Sequence, residues 1–337
     1  MILNLRAEAC SWTGYGQAAE AIGRDLERRG WLVAYEPIGI YDDFGPPSEW
    51  VRERLIRRGE PTGPTLQITP CGWPVPKRRP VVLCTMYEAT RPSPQAAAEM
   101  NRALRVLVPS TFNAVSFSAA GCDQPIDVVP MGHNPAVYRK RDSGPDVIRF
   151  GVAGRIHHGG ARKGIWEAIE AFEAVEGDAE LWVKVWPDDP LPTVGDPRVT
   201  IFREPLDAAG MAGFYRGLTA LLVPSKGEGF GLQTLEAMAC GVPVIAAPWS
   251  GTADLVDESR AYLLPYTLEP ARGCYLERGE WAVPSVAGMT AAMRRVIHRP
   301  LEAEAKGEMA AAFAKRLTWE RCGERMDAVL REVFGCP

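Results

Sequence analysis

No stretch of this chain is apolar over the roughly 20 residues that a membrane-crossing helix needs, and runs such as Val242–Ala247 have the length of buried strands. The opening residues, Met1-Ile2-Leu3-Asn4-Leu5-Arg6, lack the basic segment and long apolar core of a secretory leader and read as a first strand. A cytoplasmic setting is therefore expected. The eight cysteines (10, 71, 84, 122, 240, 274, 322 and 336) include no Cys-x-x-Cys pair. Cys84 and Cys240 lie among apolar neighbours, so reduced, buried thiols are expected rather than a disulfide framework or a zinc site. A strong charge of either sign is also missing: the net charge of −4 argues against a general nucleic-acid binder.

What remains is an ordinary globular composition, 46% hydrophobic and 24% charged over 337 residues, enough for two domains of about 150 residues each. The halves differ in charge. Residues 1–145 carry 17 basic and 15 acidic side chains, and the remainder 21 and 27. Arg52, Arg54, Arg57, Arg58, Lys77, Arg78 and Arg79 crowd one short span. This is either a solvated helix face and loop or a peripheral contact with an anionic surface.

Strand-like runs alternate with amphipathic helical stretches, the grammar of parallel sheets covered by helices. Ile2–Leu5 leads through a glycine loop to a helix over Gln17–Arg29, closed by Gly30, and then to a strand at Trp31–Tyr35. Pro80–Thr85, Arg105–Val108 and Ile126–Val129 read as further strands. Tyr138–Asp146, polar and containing Ser143-Gly144-Pro145, reads as a linker. The pattern then restarts with a strand at Ile148–Ala153, a helix near Ile165–Val175, and strands at Glu180–Val185, Val199–Phe202, Ala220–Val223 and Val242–Ala246. An amphipathic helix over Thr318–Phe334 closes the chain, with Met326, Val329, Leu330 and Phe334 on one side. The expected domains are 1–140, 147–317 and a terminal helix 318–337 that packs back on the first. Ligands of such sheets lie at the C-terminal ends of the strands.

The most informative loop follows the strand at Ala220–Val223. Val223-Pro-Ser-Lys-Gly-Glu-Gly-Phe-Gly-Leu-Gln-Thr-Leu-Glu-Ala-Met-Ala-Cys-Gly runs from a polar, glycine-rich turn into a helix that starts near Leu232. The backbone N–H groups of Gly229, Phe230, Gly231 and Leu232 then stand at a helix N-terminus, where a phosphate or sugar hydroxyl binds. Glu228 lies in the turn and Glu236 in the helix, so one carboxylate can meet a sugar while the other reaches a ribose.

This segment resembles the Glu-x7-Glu signature of the retaining, GT-B-fold glycosyltransferases of group 1. Phe150-Gly-Val-Ala-Gly-Arg155 and Lys163-Gly164 are similar to that family's Gly-Arg and Lys-Gly elements. Arg105-Val-Leu-Val-Pro-Ser110 and Val128-Val-Pro-Met-Gly-His-Asn134 resemble further landmarks, the second altered at His133-Asn134. The resemblance implies an α/β fold of GT-B architecture, two Rossmann-like domains facing each other across a cleft, and transfer of a sugar from a nucleotide-diphosphate donor, UDP- or GDP-linked. Glu228, Arg155 and Lys163 are the implied catalytic residues. Gly14, Gly16, Arg155, Lys163, Glu228, Gly229, Phe230, Gly231, Leu232 and Glu236 are the implied donor site. Negative charge grows on the departing diphosphate, and Arg155 and Lys163 are placed to stabilise it. No Asp-x-Asp motif stands where a metal-dependent transferase needs one, His157-His158 are poorly spaced for one ion, and neither metal nor cofactor is expected. The acceptor, whether glycan, lipid, small molecule, protein or modified nucleic acid, is left open. Glu88 and Arg91, after the strand at Pro80–Thr85, are acceptor-side candidates or caps of the next helix.

The first glycine loop, Thr13-Gly14-Tyr15-Gly16-Gln17, supports a rival reading. Gly14-x-Gly16-x-x-Ala19 after a strand, with Glu36 at the end of the next, also fits a dinucleotide-binding fingerprint and an NAD(P)-dependent enzyme. Two further readings stay open, a nucleotide-sugar epimerase on the same fold and a non-catalytic nucleotide-sugar-binding protein.

Overall fold

Short Val-, Leu- and Ile-rich runs without polar alternation need cover on both faces, and in this protein they form parallel sheets packed between helices. The computed structural model describes residues 1–10, 13–38, 45–55, 63–156, 162–190, 194–275 and 278–335. They divide into two compact units, one of Met1–Gly132 with Leu317–Pro337 and one of His133–Arg316.

The first unit runs β1 (Ile2–Ala7), α1 (Gly14–Arg28), β2 (Leu32–Pro37), α2 (Glu49–Arg54), β3 (Thr65–Ile68), β4 (Val81–Cys84), α3 (Pro94–Met100), β5 (Arg105–Val108), α4 (Thr111–Ala119) and β6 (Ile126–Val128). Among the described residues its strands form one parallel sheet in the order β2-β1-β3-β4-β5-β6. Leu3, Leu5, Leu66, Val82 and Leu107 are fully buried in it. Thr13, Ser48, Ser93 and Ser110 cap the N-termini of α1 to α4 with their hydroxyls.

The second unit runs β7 (Ile148–Ala153), α5 (Ile165–Glu173), β8 (Ala179–Lys184), β9 (Val199–Phe202), α6 (Ala208–Arg216), β10 (Ala220–Val223), α7 (Leu232–Ala239), β11 (Val244–Ala246), β12 (Ala261–Leu263), β13 (Tyr266–Pro270), β14 (Glu280–Pro284), α8 (Val286–His298) and α9 (Pro300–Ala314). Its parallel sheet has the order β12-β11-β10-β7-β8-β9, and β13 and β14 form a separate antiparallel hairpin. Phe150, Phe172, Leu181, Val183, Leu222, Ile245, Met289 and Met293 share its core.

Helix α10 (Trp319–Phe334) belongs to the first unit and packs on α1, burying Cys322, Gly323, Met326 and Leu330. Its Asp327 accepts from the Trp31 indole at 2.6 Å.

The boundary expected near residue 140 lies at 132/133 instead. The segment read as a linker is part of the second unit for a physical reason. Tyr138 is buried with its ring centroid 6.2 Å from that of Tyr215, and the Arg141 guanidinium donates to the Arg216 carbonyl at 3.1 Å. The Arg141 N–H donates to the Cys240 carbonyl at 3.2 Å. Among the described residues no helix is long and apolar enough to cross a membrane, and six described cysteines, Cys240 and Cys322 among them, are free thiols.

Candidate functional site

Strands β10, β7 and β8 are neighbours in the second sheet, so the loops at their C-terminal ends meet. After β10 the chain turns through Pro224–Gly231 into α7. Gly231 occupies the helix N-cap at φ 97° and ψ 52°, in the left-handed region where a side chain is strained. No side chain caps α7, and the fully buried Thr234 Oγ1 has no hydrogen-bond partner among the described residues. The positive end of the helix therefore offers backbone N–H groups to a bound anion or hydroxyl. Gly229, Phe230 and Gly231 are buried in this turn, and Leu232 is half-buried.

Glu228 is fixed from both sides. Its N–H donates to Ser250 Oγ at 2.9 Å, and its carbonyl accepts from the Gly251 N–H at 2.9 Å. Lys163 Nζ donates to Glu228 Oε1 at 2.6 Å, and the Arg162 guanidinium lies 3.4 Å from Oε2 while donating to the Gly227 carbonyl at 2.6 Å. Burial alone would raise the Glu228 carboxyl, but the Lys163 and Arg162 charges outweigh it and hold the group at about 2. Gly164 makes the approach possible. It sits at φ 65°, and a Cβ there would stand 2.4 Å from the Pro224 carbonyl oxygen.

Arg155, just past β7, reaches Asp188 at 3.0 Å, and its guanidinium carbon lies 5.0 Å from the Trp186 ring centroid. Glu236, in the second turn of α7, is only 6% exposed. The Tyr215 hydroxyl donates to its Oε2 at 3.1 Å and Tyr138 also donates to it, yet burial dominates and pushes the carboxyl up to about 7. The residue placed by sequence at a ribose thus stands on two tyrosines. His157 and His158 lie outside the described residues, and among those described no group of three His, Cys, Asp or Glu side chains could hold a metal ion.

In the first unit, Thr13 caps α1 by accepting the Gly16 N–H at 2.9 Å, and its hydroxyl donates to Glu8 Oε2 at 2.9 Å. Burial raises the Glu8 carboxyl despite this bond. The two glycines of the loop differ. A Cβ on Gly16 would stand 1.7 Å from the Cys10 carbonyl oxygen, whereas one on Gly14 would meet no described atom within 4 Å. Glu88 is half-buried and Arg91 exposed in the loop after β4, and neither caps the next helix, since the Ser93 hydroxyl does that. Glu36, the acid of the dinucleotide fingerprint, accepts from Arg6 at 3.1 Å on one oxygen and from Arg79 at 2.5 Å on the other. Both oxygens are engaged by guanidinium groups, which removes the feature that marked a ribose contact. Within the basic span, Arg54 pairs with Glu27 and Arg79 with Glu36, while Arg52, Lys77 and Arg78 are exposed. Arg57 and Arg58 lie outside the described residues.

Arg155, Lys163, Glu228 and Glu236 all fall in residues 148–297, which match the family model of the glycosyl transferases, group 1. Residues 148–297 are a group 1 glycosyl transferase domain. Over 135 residues, 40% of the chain, the sequence is 34% identical to a D-inositol 3-phosphate glycosyltransferase of Acidothermus cellulolyticus. That match spans only 26% of the relative's own length. Among solved structures, sucrose-phosphate synthase from Thermosynechococcus elongatus aligns with a TM-score of 0.74 over 100% of both chains at 18% identity. Anabaena HepE in complex with UDP-glucose aligns with a TM-score of 0.72 over 98% of this chain and 100% of its own, at 14% identity. These likenesses establish the GT-B fold.

The turn around Glu228 is also held by residues that sequence reasoning passed over. Arg162 adds a second cation to Glu228. Ser250 is the one non-glycine residue with positive φ (53°) among those described, and a Cβ on Gly251 would stand 2.3 Å from the Gly229 carbonyl oxygen. The Ser250-Gly251-Thr252 triplet after β11 was the available signal, since a glycine beside a strand end marks close backbone approach.

Proposed function

We propose that the protein is a retaining glycosyltransferase that moves a sugar from a nucleotide-diphosphate donor to an acceptor hydroxyl, with Arg155 and Lys163 rather than a metal ion meeting the diphosphate charge. The observation that carries this reading is the Glu228–Lys163–Arg162 cluster beside the N-terminus of α7. Its carboxylate is ionised at neutral pH and so accepts hydrogen bonds from sugar hydroxyls, while the helix start and the Lys163 ammonium receive phosphate oxygens. In the proposed step the bond from the anomeric carbon to the β-phosphate oxygen breaks, and the acceptor oxygen bonds to that carbon on the same face. The acceptor proton passes to the departing phosphate oxygen, and the fixed cations stabilise the remaining charge. A uridine donor is the first to test, because the structurally similar HepE was solved with UDP-glucose.

The test is a thermal-shift series with UDP, GDP, UDP-glucose, GDP-mannose and NAD(P). A ligand at about a hundred times its Kd adds roughly 2.7 kcal/mol to the folded state. Stabilisation by one nucleoside diphosphate pair that is lost in Lys163→Ala is the expected result. Stabilisation by NAD(P) alone would overturn the reading in favour of the Gly14–Gly16 loop.

A further inference from the structure

The hairpin β13–β14 stands outside the six-stranded sheet of its unit, and its two strands have opposite environments. All five residues of β13 are exposed, whereas in β14 Trp281 is 4% and Ala282 0% exposed. The buried strand is directed at the motif loop. The Ala282 N–H donates to the Lys226 carbonyl at 2.9 Å, so β14 hydrogen-bonds to the chain two residues before Glu228. The Lys226 ammonium lies 5.6 Å from the Trp281 ring centroid and 2.8 Å from Glu167 Oε1 in the first turn of α5. From the opposite side the Lys226 N–H donates to the Arg162 carbonyl at 2.7 Å. Tyr275, between the two strands, packs edge-on against Trp281 with ring centroids 5.8 Å apart.

A loop holding glycines at 227, 229 and 231 has many conformations to lose, and a carboxylate that must meet a sugar within a fraction of an ångström cannot sit on such a loop unsupported. Lys226 is the last non-glycine residue before Glu228, and three separate elements converge on it. We propose that the β13–β14 hairpin holds Glu228 in register for the donor sugar through Lys226, with Lys226, Trp281 and Glu167 as positioning residues. The link to a sugar rests on the transferase reading above; the support of the loop does not.

Two measurements on the full chain separate these. In ligand-free protein, Trp281→Ala and Lys226→Met should each speed amide exchange across Gly227–Gly231 by about tenfold, with β7 and β10 amides unchanged and Lys226→Arg close to wild type. Calorimetric titration with UDP and UDP-glucose, or GDP and GDP-mannose if those bind instead, should show the sugar nucleotide losing about tenfold in affinity relative to the bare nucleotide, or about 1.4 kcal/mol. Leu268→Ser, on the exposed strand, should change neither measurement. Unchanged exchange in Lys226→Met overturns the support, and that variant carries the test should Trp281→Ala fail to fold. Faster exchange with an unaltered affinity ratio overturns the positioning role and leaves a structural one. A wild-type protein that binds none of the four nucleotides counts against the transferase reading, while the exchange measurement still decides the support.

Discussion

Two carboxylates separated by seven residues have been driven in opposite directions, Glu228 to about 2 and Glu236 to about 7, from an ordinary value of 4.5. The signs determine how stability follows pH. Between 2 and 4.5 the unfolded chain binds the Glu228 proton more tightly, so that contribution is present above 4.5 and lost as pH falls. Between 4.5 and 7 the folded chain holds the Glu236 proton, so that contribution is present below 4.5 and lost as pH rises. Urea denaturation as a function of pH should show Glu228→Gln flattening the acid limb and Glu236→Gln flattening the limb towards neutrality. A wild-type slope above 4.5 in Glu236→Gln would show that burial does not govern this group. Glu228 and Glu236 stand out in the sequence within the glycine-rich turn and the helix that follows it, and Lys163 through the likeness of Lys163-Gly164 to the family's Lys-Gly element. That Lys163 and Arg162 hold Glu228 is not visible there, since the partners are some 65 positions apart in the chain and meet only across the sheet.

At the scale of the element, the first glycine loop offers a clean contrast. Gly16→Ala must displace the Cys10 carbonyl and should cost about 3 kcal/mol, within the range of overpacking substitutions. Gly14→Ala meets no described atom and should be neutral or stabilising by up to about 1 kcal/mol, because it removes freedom from the unfolded chain. Chemical denaturation of both variants checks this, and equal losses would contradict the assigned packing. Strands β5, β7, β9 and β10 coincide with the runs read from sequence, because short apolar runs bounded by turns leave few alternatives. Strand β3 was not legible. Thr65-Leu66-Gln67-Ile68 alternates in polarity like a half-exposed strand, yet all four residues are buried and Gln67 is satisfied by Arg6 at 2.6 Å and Thr69 at 3.0 Å. The β13–β14 hairpin escaped for a similar reason, its strands being held by pairing and by the motif loop rather than by hydrophobic pattern.

At the scale of the molecule, one unit is continuous in sequence and the other is completed by the chain's last helix. Residues 133–316 carry their own core and should fold when expressed alone. Residues 1–132 alone leave the face of α1 that packs on α10 without its partner, and should not unfold cooperatively until 317–337 is supplied as a peptide. Circular dichroism melts of the two fragments, with and without that peptide, decide this; a cooperative melt of 1–132 alone would refute it. The amphipathic stripe of the tail was plain in the sequence, and so were the two strand-first halves and the Glu-x7-Glu segment that announce the fold and the family. These features depend on spacing along the chain, and a single sequence records spacing directly. The extent of each unit, the tyrosines beneath Glu236, the arginine pairs that engage Glu36 and the three elements converging on Lys226 were decided by tertiary structure alone. Each is a contact between segments far apart in the chain, and which of many equally plausible charged or aromatic partners a residue meets is set by the packing of the sheets.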